Sequence, residues 1–246
     1  MYLTFLLIDV GNNPDRPRPG RLWLRNRYRV HQRLCMAFPS DPRRCDDPDF
    51  LKPYAPDDFA QKQVHVTRRT DSGFLFRVDP QPSGRVVILV QSATEPDWGY
   101  AFHNAGHLLA APPETKTVEP RFEPGQHLRF RLLANPTKRL RKDSSDSPGQ
   151  PVDEKWVGKR VAVKSDGLEN WLTRRAQRAG FHVRQLSGIH PGCVYVNKGE
   201  PLRYRSALYE GILEITDPGP FGNTFIHGIG PAKAFGFGLL SLAPVR

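Results

Sequence analysis

The order of the elements that the sequence predicts constrains this 246-residue chain more than any other feature. Apolar alternation and turn residues indicate a strand, a helix, two strands, a short helix and an edge strand within residues 1–120. Residues 121–246 repeat the order β-α-β-β-α-β, although no sequence similarity between the halves is visible. That order is typical of an α+β fold. We therefore expect two tandem ferredoxin-like (RRM-like) domains, 1–120 and 121–246, with a basic hairpin inserted in the second.

The first helix is predicted over residues 26–38, between the Pro- and Gly-rich loop 11–20 and Pro39. Its buried positions recur at helical spacing and are Val30, Leu34, Ala37 and Phe38. At 3.6 residues per turn, Tyr28, His31 and Cys35 lie together beside that stripe. The remaining elements of the first half are strands over 2–10, 73–78 and 85–91, a short helix over 98–109 and an edge strand over 116–118.

The second half contains the strongest helix signal, over residues 166–179. Asp166 is the candidate N-cap with Glu169 three residues later, and Gly180 marks the C-terminal end. Residues 138–164 form a basic insertion with a Ser-, Pro- and Gly-rich tip, which predicts a long hairpin. Strands are predicted over 126–134, 181–186, 205–215 and 237–242, with a turn or short helix around 219–227.

Basic residues are grouped along the chain rather than spread evenly. Lys and Arg number 36 against 25 Asp and Glu, a formal charge of +11, and 26 of the 36 are Arg. Four groups contain no acid: residues 16–33, 129–142, 155–164 and 174–184. Because an Arg fork matches phosphate geometry, several such groups favour a polyanionic partner over ordinary solvated faces. The sequence leaves open whether the group at 174–184 faces such a partner, another protein or solvent.

Several classes of protein and site are disfavoured. No stretch approaches the ~18–20 apolar residues of a membrane span, and the apolar N-terminus lacks the features of a signal peptide. Three separate cysteines (Cys35, Cys45 and Cys193) fit a reducing cytoplasm, and we interpret the isolated Cys193 as structural. His103 and His107 have the spacing of a zinc pair on a helix, but no third ligand is evident. We expect neither a metal nor a cofactor.

Tyr28 and His31 are the first candidates for chemistry. At positions i and i+3 their side chains share one helix face, and a histidine titrates near neutral pH. RNA carries its own nucleophile, the 2′-hydroxyl, so its cleavage needs a base, an acid and cations for the phosphorane charge. Arg25, Arg27, Arg29 and Arg33 surround the pair in the sequence. On spacing alone, a packed or surface histidine is the simpler interpretation.

A glycine-rich loop is the second candidate. Residues 228–238 hold four glycines (Gly228, Gly230, Gly236 and Gly238) together with Lys233. A backbone without side chains can approach a phosphate chain closely. The pattern matches neither a dinucleotide-binding fingerprint nor a Walker loop. A plain turn before an edge strand explains it as well.

Four segments, taken in order, resemble one family. They are the Tyr28-x-x-His31 helix, Phe130-Arg-Leu-Leu-Ala-Asn-Pro-Thr137, the Trp171-Leu-Thr-Arg-Arg175 helix ending in Gly-Phe, and the C-terminal GIGPAKAFGFGLL. Over nearly its full length the chain resembles CasE, the CRISPR repeat-cleaving endoribonuclease of the type I-E Cascade complex, in the RAMP superfamily. The resemblance implies two ferredoxin-like domains and a metal-independent RNase.

The same resemblance implies cleavage at the 3′ base of the repeat stem-loop, with 5′-hydroxyl and 2′,3′-cyclic phosphate products. The enzyme would then keep the crRNA hairpin and join other Cascade subunits in antiviral defence. We expect a cytoplasmic protein that is monomeric when free and has no membrane partner.

The resemblance also carries functional roles onto individual residues. His31 matches the family's catalytic histidine and Tyr28 its catalytic tyrosine. The glycine-rich loop falls on Gly228, Gly230, Gly236 and Gly238, with Lys233 as its basic residue. The hairpin that grips the RNA stem falls in 138–164, where Lys159 and Arg160 are the strongest candidates. The other RNA-binding candidates are Arg25, Arg27, Arg33, Lys138, Arg139 and Arg141, and Phe225, Phe235 and Phe237 could stack on bases or belong to the core.

One position departs from the family pattern. Some members carry a catalytic lysine five residues after the histidine, where this chain has Met36. Arg27 and Arg33 are the candidates for a replacement cation. Met36 also keeps open a different class, a non-catalytic RNA-binding subunit in which Tyr28 and His31 are inert. A third hypothesis, a duplex-DNA-binding module, lacks a recognisable helix-turn-helix or zinc finger.

Overall fold

The computed structural model describes residues 1–11, 18–49, 73–81, 84–140 and 154–245. The tip of the predicted basic hairpin, including Arg141, lies outside these residues. No helix in the described ranges is long and apolar enough to cross a membrane.

The first half forms one four-stranded antiparallel sheet. Its strands are β1 (Tyr2–Ile8), β2 (Phe74–Pro80), β3 (Val86–Ser92) and β4 (Glu114–Thr117), in the spatial order β2-β3-β1-β4. Its helices are α1 (Pro19–Arg25), α2 (Arg27–Cys35), α3 (Asp41–Asp46) and α4 (Trp98–Phe102), with a 3-10 turn over Gly106–Leu108. Leu6 and Ile8 of β1 and Phe76 and Ile88 of the neighbouring strands pack against Val30 and Leu34 of α2. That contact fixes α2 on one face of the sheet.

The second half repeats the arrangement with a long extension. Its main sheet contains β5 (His127–Ala134), β8 (Phe181–Asn197), β9 (Pro201–Ile215) and β10 (Leu240–Pro244), in the order β10-β5-β9-β8. Its helices are α5 (Leu168–Arg178) and α6 (Pro218–His227), and a two-stranded insertion pairs β6 (Thr137–Arg139) with β7 (Arg160–Ala162). Three 3-10 turns cover Glu154–Trp156, Ser165–Gly167 and Lys233–Phe235.

Both main sheets place the last strand beside the first, then the third, then the second. This is the strand order of a ferredoxin-like unit, so the predicted fold class is confirmed. The inserted β6–β7 pair is the base of the predicted basic hairpin.

Three helix predictions are wrong in detail. The short helix predicted over 98–109 ends at Phe102 and is followed by a separate 3-10 turn. The predicted helix 26–38 ends at Cys35, and another helix, α1, occupies part of the segment predicted as loop. Asn26 separates the two because its backbone is extended, with φ −108° and ψ 102°. Asp166 is not the N-cap of α5, because a 3-10 turn precedes the helix and moves the cap position to Gly167.

The strands of the second half are much longer than the sequence predicts. The predicted strands 181–186 and 205–215 are parts of β8 and β9, which have 17 and 15 residues. Gly188, Pro191 and Gly192 lie inside β8 and obscure its alternation, and register irregularities occur near residues 183–188. Cys193, interpreted as structural, is exposed on this extension rather than buried in a core.

The two halves are docked through specific contacts. Arg77 on β2 forms an ion pair with Asp79 at 2.8 Å and donates from Nη1 to the carbonyl of Arg131 in the second half at 3.1 Å. Gln91 donates to the carbonyl of Phe225 at 2.8 Å. A small apolar cluster also spans the junction, made of Leu3, Leu75, Leu89 and Leu239. The halves therefore face each other in a defined orientation.

Candidate functional site

Helix α2 carries the two predicted catalytic residues at the junction of the halves. Its N-cap is Asn26, whose Oδ1 accepts a hydrogen bond from the Tyr28 amide at 3.1 Å. Val30 and Leu34 are fully buried, and this fixes the rotation of the helix. Tyr28 and His31 are both partly buried, one turn apart. The helix therefore presents a phenol and an imidazole together, as its spacing predicts.

Aromatic rings and a thiol surround His31. Its imidazole stacks on Phe74, with ring centroids 5.6 Å apart, and on Phe76 at 6.4 Å. The Cys35 sulfur lies 3.5 Å from Nε2, so the predicted neighbour on the helix face is in contact. These contacts fix the plane of the imidazole ring. A fixed ring is required for a histidine that transfers a proton at a defined atom.

Tyr28 packs against the second half of the molecule. Its partners in a small apolar cluster include Val194 and Val196 of β8 and Phe235 and Phe237 of the glycine-rich loop. Phe235 and Phe237 are buried, so their role is to pack the wall beside Tyr28. Phe225 is half-buried and packs edge-on against Phe122 at 5.3 Å. In this structure the three phenylalanines have protein partners.

Lys198, a residue that no sequence motif singles out, lies over Tyr28. The ammonium nitrogen of Lys198 is 4.8 Å from the centre of the Tyr28 ring and 5.1 Å from that of Phe235. Lys198 follows β8 directly, in the turn to β9. Because the strands predicted from the sequence are shorter, no turn between paired strands is predicted at this position. A better signal would have been the alternation of Val194 and Val196, which continues β8 to the turn.

The glycine-rich loop is built into the junction. A Cβ atom on Gly236 would lie 3.1 Å from the Phe76 ring, and one on Gly228 would lie 2.8 Å from Leu75. Gly238 donates to the carbonyl of Leu133 at 2.8 Å, and its own carbonyl accepts from Ile229. Gly236 and Gly238 are buried with positive φ angles of 86° and 90°. These glycines thus let the loop pack behind His31 rather than presenting their own backbone to solvent.

The remaining loop residues border a basic cavity of about 510 Å³. Its lining includes Gly230, Lys233, Arg160 of β7 and Arg175 of α5. The Arg175 guanidinium lies over the Trp171 ring, 5.5 Å from its centre. Burial, and then the positive charges of Arg178 and Arg160, lower the pKa of Arg175. The structure thus brings together residues from two predicted basic groups and the loop, at a place where cations repel one another.

Other basic candidates lie on the inserted hairpin. Lys138, Arg139 and Lys159 are exposed, as is Arg160. Arg139 and Arg160 are direct partners across the two strands. Like charges in that position are destabilising unless an anion compensates them. Arg141 lies outside the described residues.

The arginines beside the catalytic pair in sequence point elsewhere in space. Arg33 donates from Nη1 to the carbonyl of Ala101 at 2.9 Å and to the side chain of Asn104 at 3.0 Å. Arg27 lines a separate cavity of about 350 Å³, together with the exposed Arg25. Burial lowers the pKa of Arg27 to about 10, against the opposing effect of Asp79. Met36 packs against the core of the first half.

The predicted histidine pair does not share a helix. Helix α4 ends at Phe102, and His107 lies in a separate 3-10 turn, so His103 and His107 lose the spacing of a zinc pair. In the described ranges, no group of three or more His, Cys, Asp or Glu side chains is arranged to hold a metal ion.

Comparison with known proteins gives one consistent answer. The family model "CRISPR associated protein" matches residues 1–244. The chain is 35% identical to the CRISPR-associated endoribonuclease Cse3 of Thermus thermophilus, covering 99% of this chain and 100% of that protein. It is 30% identical to the CRISPR system Cascade subunit CasE of Escherichia coli, covering 100% of both.

A solved structure supports the same relationship. Thermus thermophilus Cse3 bound to an RNA representing a pre-cleavage complex superposes with a TM-score of 0.68 and is 31% identical in sequence. The match covers 99% of this chain and 98% of that one. On the full-length family match, the two relatives and the shared fold, this chain belongs to the CRISPR-associated CasE (Cse3) family.

Proposed function

We propose that this protein is a metal-independent endoribonuclease that cuts CRISPR precursor RNA at the 3′ base of the repeat stem-loop. The observation that carries the proposal is the position of Tyr28 and His31, side by side on α2 at the junction of the halves. A relative 35% identical over the full length is named as a CRISPR-associated endoribonuclease.

The two side chains supply the two proton transfers of the reaction. One removes the proton of the 2′-hydroxyl, whose oxygen then attacks the adjacent phosphorus. The other gives a proton to the 5′-oxygen as its bond to phosphorus breaks. The products are a 2′,3′-cyclic phosphate and a 5′-hydroxyl, with no water consumed in this step. The stacking of His31 on Phe74 and Phe76 supports its use at a fixed atom.

The basic cavity and the inserted hairpin hold the RNA stem. The base edges of an A-form helix lie in a deep, narrow groove, so proteins hold such a stem mainly by its shape and phosphates. Arg160, Arg175 and Lys233 come from three different elements and line one cavity, which suits a phosphate. Lys138, Arg139 and Lys159 extend the same surface along the insertion. Arg141, which is outside the described residues, stays a sequence-based candidate for RNA binding. Gly230 borders the cavity, while Gly228, Gly236 and Gly238 shape the loop.

After cleavage the protein keeps the crRNA hairpin and serves as a subunit of Cascade. A relative 30% identical over its full length is named as a Cascade subunit. A reducing cytoplasm is the proposed location, in keeping with Cys35, Cys45 and Cys193, none of which forms a disulfide among the described residues.

The test is cleavage of a repeat RNA hairpin from the CRISPR array of the same genome, in buffer containing EDTA. We expect one cut at the 3′ base of the stem and a product that resists 3′-end labelling until its cyclic phosphate is removed. A requirement for a divalent metal, or a 3′-hydroxyl product, would contradict the mechanism.

A non-catalytic RNA-binding subunit is the second candidate, because Met36, which packs against the core of the first half, stands where some family members have a catalytic lysine. Single-turnover assays separate the two functions. A chain that binds the hairpin at nanomolar concentration and leaves it intact for hours, with enzyme in excess, would favour binding alone.

A further inference from the structure

The turn between β8 and β9 reaches from the second half to the start of helix α2. The two strands stay paired out to Asn197 and Pro201, so the turn lies at the end of a long paired extension. Lys198 is in this turn, and Tyr28 is in the first turn of α2. The residues are 170 positions apart in sequence, so only the tertiary structure brings them together.

Two asparagines join the turn to the helix. Asn26 donates from Nδ2 to the Asn197 carbonyl at 3.0 Å, and its Oδ1 accepts from the Asn197 amide at 3.0 Å. The same Oδ1 caps the helix at Tyr28. Asn197 in turn accepts a hydrogen bond from the Gly199 amide at 2.9 Å. One side chain therefore fixes both the start of α2 and the position of Lys198.

The ammonium group of Lys198 is in contact with aromatic faces and remains exposed. It lies over Tyr28 and Phe235 at about the distance of a cation–π contact. Among the described residues it forms no ion pair with a carboxylate. An aromatic face leaves most of the three N–H donors of a lysine available to another acceptor.

The other cations considered for this site lie elsewhere. Arg33 is bonded to Ala101 and Asn104. Arg27 lines a different cavity, where its Nη1 is buried and has no hydrogen-bond partner among the described residues. Met36 supplies no charge. A phosphorane carries more negative charge than the phosphate from which it forms, so a cation near Tyr28 would stabilise the transition state more than the ground state.

We propose that Lys198 is the cation of the cleavage site, donating hydrogen bonds to the non-bridging oxygens of the scissile phosphate, and that Asn26 is the residue that positions it. Lys198 transfers no proton, and its charge is unchanged by the reaction. The inference rests on the proposed endoribonuclease function.

Single-turnover cleavage of the repeat hairpin with enzyme in excess tests the role of Lys198. We expect Lys198→Met to slow cleavage about 100-fold, the effect of losing one donor to a developing oxyanion. Affinity for a hairpin with a 2′-deoxy nucleotide at the cut should change less than threefold. Lys198→Arg, which keeps the charge, should cleave at least tenfold faster than Lys198→Met. Lys116→Met, which removes an exposed lysine on β4, is the matched control and should cleave as the wild type does.

A second test replaces a non-bridging oxygen of the scissile phosphate with sulfur. If Lys198 had only a structural role, the effect of sulfur on the cleavage rate would be the same in the wild type and in Lys198→Met. Sulfur accepts hydrogen bonds poorly, so one phosphorothioate diastereomer should slow the wild type and have less effect on Lys198→Met. Asn26→Ser keeps a good helix N-cap and removes the contact with Asn197. It should slow cleavage at least tenfold, and combined with Lys198→Met it should add less than threefold to the effect of that variant alone.

The outcomes separate this inference from the proposed function. If the wild type leaves the hairpin intact, the proposed function fails and the inference fails with it. If the wild type cleaves and Lys198→Met cleaves within threefold of it at saturating enzyme, Lys198 is not the cation and only the inference is overturned. Equal sulfur effects in the two proteins would overturn it as well.

Discussion

The two halves of the molecule place their strands in the same order but differ in where they put their charged groups. The first half buries an ion pair between Arg43 and Asp47 at 2.9 Å and a second between Arg77 and Asp79. The second half keeps its cations on the outside, on the inserted hairpin and around the basic cavity. Its strands β8 and β9 also extend far beyond the four to seven residues of the strands in the first half.

This difference indicates that the first half positions helix α2 and the second half supplies the exposed cations. The first half holds α2 by packing its apolar stripe on the sheet, and its two buried ion pairs lie outside that helix. Repulsion among the cations of the second half destabilises its folded state, and a bound anion would relieve that repulsion. The candidate site lies where the two meet, with Tyr28 and His31 from one half and Lys198 and the glycine-rich loop from the other.

The largest expected effect separates chemistry from RNA binding. Replacing His31 in the first half with Ala should slow cleavage about 10³-fold, roughly 4 kcal/mol, because a proton-transfer group is lost. Affinity for the uncut hairpin should stay within threefold. His182→Ala, an exposed histidine on β8, is the control. Normal cleavage by His31→Ala, measured in single turnover, would show that His31 transfers no proton in the reaction.

Core truncation tests whether the halves are two stable units or one. We propose domains 1–120 and 121–246 that unfold together, because Arg77 and the leucine cluster join them. Leu34→Ala and Leu172→Ala each remove a buried side chain, exposed by 1% or less, from one half. Each should lower the free energy of unfolding by about 2–5 kcal/mol and shift a single urea midpoint to lower concentration. Two separate transitions, followed by fluorescence and circular dichroism, would contradict cooperative unfolding.

Removing one arginine of the basic cavity should weaken binding and leave chemistry unchanged. Arg175→Ala should reduce affinity for the hairpin about tenfold and lower the salt dependence by about one phosphate contact. Cleavage at saturating enzyme should match the wild type. The control is Arg174→Ala, an exposed neighbour on α5 that does not line the cavity. Equal losses in the two variants would show that the cavity has no special role.

The smallest expected effect concerns an ion pair on the sheet of the second half. A hydrogen bond from Arg184, with the charges of His127 and His182, holds the pKa of Glu214 below its ordinary value. A depressed carboxyl pKa adds stability above the unfolded pKa of about 4.3, and that stability is lost as pH falls through the folded value. Glu214→Gln should therefore melt lower than the wild type at pH 6, by about 2 °C or less.

The two proteins should melt alike once the pH is well below 4. A difference that persists at pH 3 would mean that Glu214 acts through packing rather than charge. Melting curves followed by circular dichroism at both pH values decide the point.

Much of the fold follows from local patterns. The element order and fold class are confirmed, because alternation in β1 and the helical stripe of α2 each reflect one buried face. The boundaries of α2 and the cap of α5 were wrong, because an extended Asn26 and a 3-10 turn respond to tertiary contacts rather than to propensity. The length of β8 was missed, because glycine and proline lie inside a strand that long-range pairing stabilises.

For the candidate site, the sequence by itself determined that Tyr28, His31 and Cys35 share a helix face, because helical spacing needs no partner. It also determined that the basic residues form groups. Only the tertiary structure decided which cations lie near the site. Arg33 bonds to Ala101 and Arg27 is buried away from the site. Arg175 lines a cavity with the glycine-rich loop, and Lys198 contacts Tyr28. Spacing along a chain fixes neighbours within one element, whereas contacts between elements depend on how strands pair and how two sheets dock.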